Sequence, residues 1–562
     1  MPESSHRHTS LLFLALALAL VLCIALLWNL AVGGAMYSKT SPTDEPTVEM
    51  ANDGSAPGEA PASPAAETPS SPESPAPARG RLALKLPANY TPLLPCPLVF
   101  EFATQPSVLH QLQPLQAIVA SFNAQADAPL EKWLLEQKAL EKLREIQENH
   151  TIDRQRIYLI AHNAEGLHFA ALHAANFNAL FLKFTQDLTP DDWKDLPLVN
   201  LANLAVYLDT SELAAPALNV RSLAKALRQH QTPRVLAPEC PLALTVPALP
   251  QALSSLSLYL NENQDIIKYK ATTLSNGTCQ WFRFEEFDEY GRPGEITAQI
   301  RPAPSAAIAK LALSTKNLNA FSIQRTWRDF HDARTFLVEV DGQSLTIPNR
   351  SGTSEWLTIR RVGEVWQANA PAPEPPSKTV ASEGPIAAIF LSPFVIVWGS
   401  QDPDTAELWK KSAEALARKC QALTGDVPPC LEDSQCTPEH LNGKSLILLG
   451  SPRENLLVGN LMEDDSDFLR QIYQKDPRIA DQMETNEELP MCCITLYPSD
   501  IYTQNKRALA IIADAPEFIP EAWKPLFTEE ALKADYLLFQ PGEENPRASG
   551  FCTPDWQIGE WR

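Results

Sequence analysis

TIDRQRIYLIAHNAEGLHFAALHAANF, residues 151–177, decides the fold. RIYLIA (156–161) has the composition of a buried strand, and Leu167 to Ala175 is a helical stretch rich in alanine and histidine. Ala161-His162-Asn163-Ala164-Glu165-Gly166 joins the two with no room for a loop, so the strand must run straight into the helix. Outward from it the same alternation continues. RLALKLP (81–87) and CPLVFEFA (96–103) read as strands, the second nearly all apolar, as in a parallel sheet buried on both faces. Glu131 to Asn149 has helical spacing, with Leu134, Leu135, Leu140, Leu143 and Ile146 apolar among charges. LANLAVYLD (201–209) and the helix Asn219 to Gln229 repeat the pattern, which indicates an α/β domain over residues 81–262.

Residues 263–370 change character. DIIKYKATTL, CQWFRFEEF, ITAQI, KLALST, FLVEV, SLTIP and WLTIRRV are short alternating strands between turn residues, the mark of a small antiparallel β module. Its aromatic residues Trp281, Phe282, Phe284 and Phe287 fit a strand core better than an exposed binding platform. A proline-rich linker follows over residues 371–380, and residues 381–562 return to α/β alternation. The expected strands there are FVIVW, SLILLG, CCITLY, ALAIIA and YLLF, with a helix from Thr405 to Leu423. No repeat of fixed short period is visible.

The 562 residues carry a net charge of −22, which argues against nucleic acid as a partner because phosphate binding needs excess Lys and Arg. Most of the acidity lies in two places, residues 40–79 and the final block, so the α/β domain around residue 160 is close to neutral. The apolar run Leu11 to Leu30 is long enough to cross a hydrocarbon core of about 30 Å. The expectation is a signal anchor over residues 11–33 that leaves residues 1–10 in the cytoplasm and the body outside it, as a membrane-tethered periplasmic or extracellular protein. Residues 34–80, rich in Pro, Ser, Ala and acid, read as a disordered tether. Ten cysteines in an exported chain permit one or two disulfides, and their spacings do not fit a zinc site. No metal or cofactor is expected.

At the strand-to-helix junction the chain resembles the prolyl oligopeptidase-like α/β-hydrolases, bacterial esterases and peptidases whose members typically read D-x-x-R-I-Y-L-x-G-H-S-x-G-G. Asp153, Arg156, Ile157, Tyr158, Leu159, His162 and Gly166 match, while Ala161 replaces the first glycine and Asn163 stands at the nucleophile serine. The resemblance implies an oxyanion-hole His-Gly near the end of CPLVFEFA, where this chain has Phe102-Ala103. It places the acid at Glu212, four residues before Pro216, and the histidine near APECPLALTVP (237–247), where Cys240 stands and no histidine occurs. Serine hydrolysis needs a hydroxyl, a base in reach and an oxyanion hole, and an asparagine amide cannot be activated by proton removal near neutral pH. The resemblance therefore implies a degenerate catalytic triad on a hydrolase-like fold: an inactive homologue that binds or scaffolds a ligand or protein outside the cytoplasm. An active esterase or peptidase with a rearranged site is the alternative. Its candidate groups are His162 as a base, Cys240 as a thiol nucleophile, and the trio His162, His168 and His173, whose spacing suits packing better than a metal.

Overall fold

The computed structural model describes residues 80–104, 117–210, 213, 218–230, 234–236, 266–371 apart from 328 and 350–353, 378–461, 492–498, and 506–556 apart from 544 and 555. The expected membrane span, the tether, Glu212 and Cys240 lie outside these residues. Among the described residues no helix is long and apolar enough to cross a membrane.

The apolar stretch at residue 157 belongs to a central strand. The first sheet has seven strands, β1 (Leu82–Lys85), β2 (Cys96–Ala103), β3 (Ile118–Asn123), β4 (Ile152–His162), β5 (Ala179–Lys183), β6 (Ala205–Asp209) and β7 (Arg234–Leu236). Their order is β1-β3-β2-β4-β5-β6-β7; only β1 runs antiparallel to its neighbour. Helices α1 (Pro129–Asn149), α2 (Asn163–His173) and α3 (Leu218–Gln229) share one core with Leu98, Phe100, Phe102, Leu159, Ala161, Leu180 and Val206, alternate residues of one sheet face. Helix α1 turns Leu135, Ala139, Leu140, Leu143 and Ile146 into that core at helical spacing. Each such leucine contributes about 1.5–3 kcal/mol by leaving water.

Local differences from the sequence expectations have identifiable causes. LANLAVYLD is not one strand: residues Leu198–Asn203 form a 3-10 turn and only Ala205–Asp209 pair with β5. The turn aims Asn200 and Asn203 at the next sheet, as described below. The helix after β4 begins at Asn163 rather than Leu167, because the junction contains no loop at all.

The β module is two five-stranded sheets. One has the order β17-β16-β13-β10-β9 and the other β15-β14-β12-β11-β8. In chain order these are β8 (Ile266–Ala271), β9 (Thr278–Cys279), β10 (Phe282–Phe287), β11 (Gly294–Arg301), β12 (Ile308–Lys316), β13 (Leu318–Gln324), β14 (Thr335–Val340), β15 (Gln343–Pro348), β16 (Trp356–Val362) and β17 (Val365–Ala368). Trp281, Phe282, Phe284 and Phe287 are buried in the core between them, stacked edge to face with Phe330, Tyr269 and Tyr290. The module is not purely antiparallel, since β12 and β14 pair in parallel from Ile308↔Thr335 to Leu313↔Val340. The intervening β13 crosses to the other sheet, so β14 returns beside β12 in the same direction.

The third sheet has the order β19-β18-β20-β22-β21-β23-β24, formed by β18 (Phe394–Trp398), β19 (Cys430–Glu432), β20 (Ser445–Leu449), β21 (Cys492–Pro498), β22 (Arg507–Ala513), β23 (Tyr536–Phe539) and β24 (Ala548–Gly550). Its first four strands are parallel, and β21, β23 and β24 add an antiparallel edge. A helix, α4 (Ala406–Thr424), covers one face through Trp409, Ala413, Leu416 and Cys420. The start of α1 reaches the same core through Leu130. The eight described cysteines are free thiols, so the disulfides that export would permit are not formed among them. Burial pushes Cys420 up to about 12 and Cys430 and Cys436 to about 11, which makes them inert small hydrophobes rather than reactive thiolates.

Candidate functional site

Chain connections leave β2 and β4 in opposite directions: β2 leads to β3 on one side, β4 to β5 on the other. Adjacent parallel strands whose connections diverge open a crevice at their carboxyl ends, where ligands of open α/β sheets bind. Asn163 follows β4 at that point.

Its backbone is left-handed, with φ of 55°. Asparagine tolerates that conformation better than other residues with a Cβ, which are strained there by about 1–2 kcal/mol. The turn is also closed at its base. A Cβ on Gly166 would lie 2.8 Å from both the carbonyl carbon and the Cβ of Ala161, so only glycine lets α2 start this close to β4. The sharp elbow at Asn163 and the requirement for glycine at 166 thus have one physical origin.

What the elbow presents is an amide already committed to its neighbour. Asn163 is 2 % exposed. Its Oδ1 accepts from the Thr185 backbone N–H at 2.9 Å and from Thr185 Oγ1 at 3.2 Å, and Nδ2 lies 3.1 Å from the same hydroxyl. Thr185 stands two residues past β5, the strand beside β4. The amide therefore ties together the carboxyl ends of two neighbouring strands. Among the described residues, no histidine hydrogen-bonds Asn163.

His162, one residue earlier, points to the other face of the sheet. Its Nε2 lies 3.3 Å from Glu101 Oε1 on β2, and Ser121 Oγ on β3 donates to Glu101 Oε2 at 2.6 Å. All three side chains are buried. The carboxylate sits between hydroxyl and imidazole, so the serine meets a weakly basic carboxylate rather than the imidazole, and the hydroxyl–imidazole–carboxylate order of a catalytic triad is not formed here. It is a buried polar network that couples three strands, and removal of one partner would leave the others unpaired in a dry interior. No sequence motif marks Glu101, Ser121 or Thr185. A lone glutamate inside the apolar strand CPLVFEFA was the one available signal, since a buried carboxylate needs partners.

The remaining sites scatter. Phe102, at the end of β2, is stacked on Phe169 of α2 with ring centres 4.1 Å apart. His168 turns outward to Glu136 of α1, with Nδ1 3.2 Å from Oε1. His173 is buried against Phe169, and its Nε2 lacks a hydrogen-bond partner. Burial, with smaller contributions from the charges of His168 and Arg144, lowers its pKa to about 3, so it is neutral and a packing residue. His162, His168 and His173 thus face three different sets of neighbours.

The fold is mixed α/β, with asparagine at the strand-to-helix turn. Comparison with solved structures finds partial likeness to esterases and an isopeptidase. An esterase from the planctomycete Thermogutta terrifontis, with propionate bound, is 14% identical over 32% of this chain and 91% of its own, with a TM-score of 0.25. A thermostable esterase is 15% identical over 27% of this chain and 49% of its own, with a TM-score of 0.21. An isopeptidase variant with astexin-3 bound is 15% identical over 28% of this chain, with a TM-score of 0.22, and the match spans only 34% of that enzyme. No family model matches the chain, and no curated protein does.

Proposed function

We propose that the chain is a membrane-tethered, extracytoplasmic homologue of α/β-hydrolases that has given up catalysis and binds or scaffolds a ligand or protein partner. The observation that carries this reading is the commitment of Asn163 at the elbow. Serine hydrolysis needs a hydroxyl at this position, whereas the Asn163 amide is spent on Thr185 and has no proton that a base removes near neutral pH. Phe102, stacked on Phe169, supports the same reading, because its side chain offers no donor to an oxyanion.

The test is treatment of the membrane fraction of expressing cells with a fluorophosphonate probe, alongside hydrolysis assays on short activated esters. No labelling of the chain and no ester turnover above a heat-denatured control are expected. Asn163→Ser is expected to stay unlabelled, because the neighbouring His162 faces Glu101 on the other side of the sheet. Stoichiometric labelling of the wild-type chain, lost on denaturation, would establish an active esterase or peptidase with a rearranged site. Recovery of the intact chain in the soluble fraction would refute the tether.

A further inference from the structure

Where the β module meets the third sheet lies a buried ion pair, remote in sequence from the Asn163 elbow. Lys378, near the end of the proline-rich linker, places Nζ against Asp535 Oδ2, just ahead of β23. Both side chains are sealed from water, at 0% and 1% exposure. The rings of Tyr290 and Trp556 wall the amine at 4.3 and 5.0 Å. The hydrogen bonding of the pair is lopsided. Asp535 Oδ2 also accepts from the Cys552 backbone N–H at 3.0 Å, and Lys378 Nζ donates to the Cys552 carbonyl at 2.8 Å, but Asp535 Oδ1 is buried with no partner. That oxygen is packed against Gly384, where a Cβ would fall 1.7 Å away.

We infer that Lys378 and Asp535 are the two ends of an intramolecular isopeptide bond, formed by the folded chain itself. A full pair of charges in a dry site is costly, and an unpartnered carboxylate oxygen adds to that cost. Condensation removes both. A proton passes from the ammonium to the carboxylate, giving neutral amine and acid. The Nζ lone pair attacks Cγ, the C–N bond forms, and the C–Oδ1 bond breaks. One oxygen leaves with two protons as water, so no oxidant, cofactor or activating group is consumed. The product fits the partners already in place: the retained carbonyl oxygen keeps the Cys552 N–H, and the new amide N–H keeps the Cys552 carbonyl. Fixed contact between the reacting groups supplies the proximity that the uncatalysed reaction in water lacks. The bond would fasten the end of the linker to the third sheet and close a loop of chain between residues 378 and 535. It depends on nothing at the Asn163 elbow.

The test is mass spectrometry of the full chain, purified folded and then digested with trypsin under denaturing conditions. The expected result is a branched peptide joining the segments that contain Lys378 and Asp535, lighter than their sum by one water. Lys378→Met and Asp535→Ala should each yield only the two linear peptides. That readout needs no stable variant, because digestion follows denaturation. Linear peptides of full mass at both sites from the folded wild-type chain would overturn the proposal and leave a buried ion pair.

Discussion

Substitution at Asn163 separates two contributions that coincide in the elbow. Alanine there removes the acceptor of the Thr185 N–H, which sits where Asn163 is 2 % exposed. An unsatisfied buried donor costs about 1–3 kcal/mol. Alanine also inherits the φ of 55°, a left-handed conformation that asparagine tolerates and alanine resists by about 1 kcal/mol more. The expected total is about 2–4 kcal/mol. Glycine loses the same hydrogen bonds but adopts the conformation freely, so Asn163→Gly should cost about 1 kcal/mol less than Asn163→Ala. Asn163→Asp keeps the oxygen that Thr185 N–H needs and should fall closest to wild type. A chain with three sheets need not unfold in one step, so the suitable assay is amide hydrogen exchange followed peptide by peptide over β4, α2 and β5. Each 1.4 kcal/mol appears there as about a tenfold loss of protection. Equal protection in wild type and Asn163→Ala would refute the amide tie between the two strands. Asn163→Gly less protected than Asn163→Ala would refute the role of backbone conformation.

Two further outcomes follow from buried polar groups elsewhere. His173 has a folded pKa of about 3 against an ordinary 6.5, so between those values the unfolded chain binds the extra proton and stability falls as pH falls, by about 1.4 kcal/mol per pH unit. Above pH 6.5 the effect is absent. His173→Leu should flatten that part of the stability–pH curve measured by chemical denaturation, and an unchanged slope would show that His173 is not held neutral by the fold. Asn200 and Asn203 act as a substitute strand: Asn200 Oδ1 and Nδ2 pair with the Lys270 N–H and carbonyl, each at 2.8 Å, and Asn203 Nδ2 donates to the Lys268 carbonyl at 2.8 Å. Asn200→Ala leaves two strand groups of β8 without partners and is expected to cost about 1–3 kcal/mol. Exchange should accelerate in residues 266–271, and unaltered protection there would argue that β8 does not depend on the first domain.

The sequence marked the elbow because its signal is local. A buried strand, a six-residue junction and an alanine-rich helix force a sharp turn, and Asn163 at its apex could be read directly against the serine of the family it resembles. The partner of that amide could not be read, since Thr185 lies 22 residues on and reaches Asn163 only through the β4–β5 register. Alternation likewise gave the faces of the β-module strands, whose aromatic residues are indeed core, but alternation is blind to direction, and the parallel pairing of β12 with β14 had no sequence mark. LANLAVYLD looked like one strand because its apolar content is continuous; the turn in its first half is set by the pairing of Asn200 with a strand in another sheet.

By itself, then, the sequence determined what depends on neighbours along the chain: the α/β alternation, the tight junction that needs Gly166, and the absence of a serine at its apex. Tertiary structure alone decided which distant polar groups meet. Glu101 with His162 and Ser121, Asn163 with Thr185, and Lys378 with Asp535 across 157 residues are products of strand order and register. The physical reason is that hydrophobic periodicity fixes which side of an element is buried, whereas a buried hydrogen bond or ion pair needs two specific atoms within about 3 Å, and only the packed sheets bring them there.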